Sequence, residues 1–140
     1  MSSTLSERKK VVKVEKGRIA LEILEIKKMI REKKARLEAV QEKLEEIKAR
    51  VLLREIRKAG IFAGGQWQII KKVMRTKQVK NKYGRRYEYA ALVLFFRDGS
   101  TRTIYLDNEV LELLKERRKL REEVRKLNKL VKHLYMLAKS

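Results

Sequence analysis

The stretch Tyr87 to Leu106 reads YEYAALVLFFRDGSTRTIYL, and it decides the fold. Tyr87 to Phe96 is aromatic, aliphatic and β-branched with no Gly or Pro, the composition of a strand that must be buried. Asp98-Gly99 supplies a compact hairpin turn, and Thr101-Arg102-Thr103-Ile104-Tyr105-Leu106 returns as the next strand. Side chains alternate between faces along a strand. Tyr87, Tyr89, Ala91, Val93 and Phe95 therefore share one face, and Ala90, Leu92, Leu94 and Phe96 the other. Both faces are apolar toward the end of the strand and need cover.

Working outward, Trp67-Gln68-Ile69-Ile70-Lys71-Lys72-Val73-Met74 opens an earlier strand that continues to Val79, and Tyr83-Gly84-Arg85-Arg86 makes the turn between them. The expected unit is a three-stranded antiparallel meander. A sheet this small is not stable alone, so helices must cover it.

The flanking sequence supplies them. From Arg18 to about Lys58 no breaker interrupts a run rich in Leu, Ile, Glu, Lys, Arg and Ala. Ile19, Ile23, Ile26, Ile30, Leu37, Val40, Leu44, Ile47 and Val51 step by fours and threes once Lys33 takes the slot between Ile30 and Leu37, the seam of a coiled coil or helical hairpin. After the sheet, Asp107 or Asn108 is the expected N-cap of a second helix. Its seam is Val110, Leu113, Leu120, Val124, Leu127, Val131 and Leu134, with Arg117 in one slot. Packing of the two helices within one chain, or exchange between two chains, buries both stripes. Gly60, Gly64 and Gly65 mark the joint after the first helix. They do not make a phosphate-cradling loop, because Gln66 and Trp67 follow and a helix precedes.

The expected architecture is thus α+β: a basic N-terminal arm over 1–17, which is either flexible or an extra strand; a coiled-coil helix over 18–59; a basic three-stranded module over 60–106; and a C-terminal coiled-coil helix over 107–140. The 140 residues allow one ordinary domain, or a small module with long helical attachments. There is no Cys, and the single His, His133, lies apart from any acidic cluster, so neither a disulfide nor a zinc site is expected, and no cofactor. No nucleophile, base and orienting acid form a catalytic set, so an enzyme is not expected. The N-terminal residues are too charged for a signal peptide, and the longest apolar run, Tyr89 to Phe96, is far too short to span a membrane. A cytoplasmic or nucleoid-associated place is expected, or the host cytoplasm if the chain is viral.

Charge locates the candidate function. The 38 basic and 18 acidic residues give a net +20. Residues 66–106 hold ten basic residues against two acidic ones, whereas the helices mix signs as solvated coiled-coil faces do. A concentration of this kind attracts a phosphate backbone by Coulomb interaction and counterion release. Lys71, Lys72, Arg75, Lys77, Lys80, Lys82, Arg85, Arg86, Arg97 and Arg102 are the candidate nucleic-acid contacts, and Tyr83 and Tyr87 the candidates for base stacking. Trp67 and Tyr89 are expected to fill the core. Double-stranded DNA is the leading partner, bound by a homodimer joined through its long helices, with RNA as an alternative. A rival reading makes the coiled coil the working part, docking an acidic protein, and leaves the basic sheet edge as a guard against aggregation.

Tyr83-Gly84-Arg85-Arg86-Tyr87-Glu88-Tyr89, followed by Arg97 to Leu106 and a charged helix, resembles the arm-type three-stranded DNA-binding modules found with tyrosine recombinases, and similar small archaeal or archaeal-virus DNA-binding proteins. The resemblance covers about residues 67–125. It implies a sheet that enters the major groove, backed by the following helix, with Arg85, Arg86, Arg97 and Arg102 near the turns. No recombinase catalytic segment accompanies it. What the resemblance implies is a binding face; the function expected from the charge is that of a non-enzymatic DNA-binding protein, a transcriptional regulator or architectural factor.

Overall fold

The computed structural model describes residues 5–59 and 68–139. Helix α1 spans Leu5–Ala59, strands β1, β2 and β3 span Ile69–Lys80, Arg86–Phe96 and Thr101–Tyr105, and helix α2 spans Asn108–Lys139. The fold is α+β, with a three-stranded antiparallel sheet of order β1-β2-β3 and two long helices in contact with each other. Helix α1 begins at Leu5 rather than near Arg18, so residues 5–17 continue the helix instead of forming an arm or a strand. Gly17 is crossed without a break, and a Cβ placed there would meet nothing. The joint at Gly60, Gly64 and Gly65, and the side chain of Trp67, lie outside the described residues.

The chain divides into two compact units, Met1–Leu37 with Lys119–Ser140, and Glu38–Arg118. In the first, Ile23 and Ile30 of α1 form a buried cluster with Val124, Val131 and Leu134 of α2, flanked by Ile19, Ile26 and Leu127. The two seams read from the sequence therefore meet within one chain. The polar residue in the α1 seam has a partner: Lys33 Nζ lies 2.6 Å from Glu123 Oε2, both half-buried. Lys27 reaches across to Tyr135, with its ammonium 5.1 Å from the ring centre and donating to the hydroxyl.

In the second unit, β2 runs down the middle of the sheet. Leu92 and Leu94 are fully buried, with Met74 and Ile104 opposite Leu92 in register. Residues of this face also hold the polar ties to the helices: Arg102 to Glu55 of α1, and Thr76 and Glu88 to Arg118 of α2. That choice of face was open in the sequence, because Ala91 and Val93 on the opposite face are equally apolar and equally buried. Val40, Leu44 and Val51 continue the α1 seam here. On α2, Leu111 and Leu114 are buried beside Val110, a stripe wider than the seam alone. Asp107 is the N-cap: its carbonyl accepts from the N–H groups of Val110 and Leu111 at 3.0 and 3.2 Å.

The ion pair between Arg102 and Glu55 is a charged contact of this unit with a buried carboxylate. Glu55 is only 7% exposed, and Arg102 Nη2 donates to its Oε2 at 3.1 Å. Arg102→Met removes the partner and strands a buried carboxylate. The expected cost is about 1–3 kcal/mol in urea unfolding. Glu55→Gln with Arg102→Met should recover part of that loss, and equal stability of the single and double variants would refute the pairing.

Candidate nucleic-acid interface

Strand β3 covers only the Ala91 to Phe95 half of β2, and one further bond from the Leu106 N–H to the Ala90 carbonyl ends its contact. Beyond that point β1 and β2 continue as a two-stranded ribbon through the pairs Lys77↔Tyr89, Gln78↔Glu88, Val79↔Tyr87 and Lys80↔Arg86. Its near end is held from one side. Glu88 accepts from Arg118 at 2.6 Å and lies 3.9 Å from Lys115, both on α2. The hydrogen bond from Arg118 is the main reason the Glu88 carboxyl sits below its ordinary 4.5, with the charges of Arg118 and Lys115 and a Thr76 hydrogen bond adding to it.

A lowered carboxyl contributes stability above its ordinary pKa and loses it as pH falls through the folded-state value. The melting temperature should therefore hold above about pH 5 and drop as the pH falls below about 4.5, and Glu88→Gln should remove part of that dependence. An unchanged pH profile in the variant would refute the role of Glu88.

The ribbon tip is built by Asn81. Its Oδ1 accepts from the N–H groups of Tyr83 and Arg85, each at 2.9 Å, and its own N–H donates to the Arg85 carbonyl at 2.8 Å. Gly84 closes the turn with φ +81°, a conformation side chains rarely adopt. The loop thereby presents Lys82, Tyr83 and Arg85, with Lys80 and Arg86 at its base, all exposed. Lys82 lies 5.1 Å over the Tyr83 ring. Among the described residues, no carboxylate pairs with Lys80, Lys82, Arg85 or Arg86.

The ten candidate cations do not form one cluster. Lys80, Lys82, Arg85 and Arg86 converge at the tip. Arg75 and Lys77 lie on the sheet face that carries Tyr87, Tyr89 and Tyr105, with Lys77 opposite Tyr89. Lys71, Lys72 and Arg97 stand at the far end of the sheet, where Lys71 lies 5.8 Å from the Phe95 ring centre and the Arg97 N–H donates to the Gln68 carbonyl. Arg102 is engaged by Glu55 and is not available in the same way. The stacking candidates Tyr83 and Tyr87 are 79% and 52% exposed. Tyr105 is more open than Tyr87, at 69%, and its ring packs 5.2 Å from that of Tyr89 in a tilted pair.

Sequence reading missed Glu55. Glu55 occupies the slot four residues beyond Val51, so an acid in the seam was the available signal for a buried carboxylate with a cationic partner. Among the described residues, no group of His and acidic side chains is placed to hold a metal, and no helix is long and apolar enough to cross a membrane. Comparison of the chain with protein-family models, curated proteins and solved structures gives no match.

Proposed function

We propose that this chain is a non-enzymatic DNA-binding protein, an architectural or regulatory factor, that inserts the β1–β2 ribbon into the major groove of duplex DNA. The observation that carries the reading is the ribbon tip, where Lys80, Lys82, Arg85 and Arg86 sit exposed and, among the described residues, without carboxylate partners on a two-stranded element that outruns β3. The major groove, about 12 Å wide, admits a two-stranded ribbon whose strands lie about 4.8 Å apart. Arg and Lys serve both phosphates and guanine acceptors there, and the exposed Gln78 adds an amide of the kind that pairs with adenine. The seams that would join two copies already pair α1 with α2, so the proposal is made for the single chain.

A second reading has its own observation. Tyr87, Tyr89 and Tyr105 share a face with Arg75 and Lys77, and aromatics beside cations bind unpaired bases by stacking. Titration of labelled duplex DNA, single-stranded DNA and single-stranded RNA at two salt concentrations separates the readings. Tightest binding to duplex, falling steeply with salt, supports the ribbon. Preference for single strands, lost on Tyr87→Ala with Tyr105→Ala, supports stacking. No binding to any of the three at low salt refutes both.

A further inference from the structure

A second cationic surface lies on α1, away from the strands. Arg50, Arg54, Arg57 and Lys58, with Leu53 between them, line an open cleft of about 450 Å³, and all five are exposed. Arg57 and Lys58 stand in the last turn of the helix, where cations complement the helix dipole. Arg50 and Arg54 lie earlier, beyond the reach of that effect. Like charges three and four residues apart on a helix repel, so Arg54 is opposed by Arg50, Arg57 and Lys58 at once. Acids offer little relief. Glu46 lies 3.7 Å from Arg50, and Glu55 is engaged by Arg102; among the described residues no carboxylate pairs with Arg54, Arg57 or Lys58.

Among the described residues, the fold leaves this part of α1 without a packed helix beside it. Lys43 lies 3.4 Å from Glu109, which sets the start of α2 beside Lys43. Helix α1 then runs on for about four more turns past that start. Its position on the sheet is fixed by Glu55, which holds Arg102, and Arg102 stands opposite Leu94 of β2. From Leu94 back to Arg86 at the ribbon base is about 27 Å of extended strand. The tip loop and the end of α1 extend that span at both ends, toward the ~34 Å of one duplex turn.

We infer that Arg50, Arg54, Arg57 and Lys58 form a second phosphate-contact site on the same duplex that takes the ribbon, about one helical turn away. The inference rests on the ribbon reading and adds the partner surface that sets its length requirement. An extended polyanion fits this surface because its cations are strung along two helical turns rather than converging on one point.

The test uses the full chain and the double variant Arg54→Gln, Arg57→Gln, with duplexes of about 20 base pairs and hairpin-capped duplexes of about six, over a salt series. The longer duplex should bind the variant about 10–30-fold more weakly, with a salt slope lower by about two. The short duplex, which cannot span the two sites, should bind both proteins equally. An unchanged melting temperature confirms that the exposed substitutions leave the fold intact. If the native chain binds no duplex, the ribbon reading and this inference fall together. If it binds, and substitutions at the ribbon tip weaken it while the Arg54, Arg57 variant keeps native affinity and slope, only this inference falls. Equal loss on the short duplex would also overturn it.

Discussion

Replacing Lys80, Lys82, Arg85 and Arg86 together by glutamine is expected to weaken duplex DNA binding by about two to three orders of magnitude near physiological salt. Each cation that meets a phosphate releases close to one counterion, so four lost contacts should flatten the salt slope by about three to four. The effect must be local to count. A matched control, Lys28→Gln, Lys34→Gln, Lys126→Gln and Lys129→Gln, removes four exposed charges from the helices and leaves the ribbon intact. Fluorescence anisotropy over a salt series would compare the two. If both variants lose the same affinity, the net +20 acts as a diffuse field and the tip has no special part. The fold should survive the tip variant, because Asn81 and Gly84, which make the turn, are untouched.

Leu92→Ala is expected to cost about 2–5 kcal/mol, the largest stability loss from a single truncation in the sheet unit. Leu92 is fully buried at the middle of the central strand, and its register neighbours Met74 and Ile104 are themselves buried on the edge strands. The cavity has little chance to collapse, since ladder hydrogen bonds hold the backbone on both sides. Urea unfolding followed by far-ultraviolet circular dichroism would measure the change. Leu92→Met keeps the volume and should lose less than about 1.5 kcal/mol. A small loss in the alanine variant would mean that this face of β2 is less tightly packed than its burial implies.

Much of this was legible in the chain. The strand at Tyr87 to Phe96, the turn at Asp98-Gly99 and the two heptad seams each carry a local signal strong enough to survive tertiary context. Asp98 does what a turn residue should, accepting from the Ser100 N–H and hydroxyl at 2.9 and 2.6 Å, and those bonds lower its carboxyl pKa. Other features depend on what packs against what. Val11, Val12 and Val14 have strand propensity and Gly17 reads as a boundary, yet the helix runs through them. A single interior glycine costs only about 1 kcal/mol, which a long helix absorbs. Alternation along β2 could not select the face that meets the helices, because both faces are apolar. The candidate site was legible as a segment but not as a shape. Ten cations within 41 residues look alike in sequence, and only the pairing of β3 with half of β2 separates the tip from Arg102, which Glu55 engages.

The seam of the first unit joins residues far apart in the chain; Lys33 and Glu123 are separated by 90 positions. The whole of Glu38–Arg118 lies between those residues along the chain. Closing a flexible loop of that length carries an entropic cost that the seam alone must meet if the inner unit is unfolded. Folding of the intervening residues removes most of that flexible length, and with it most of the cost.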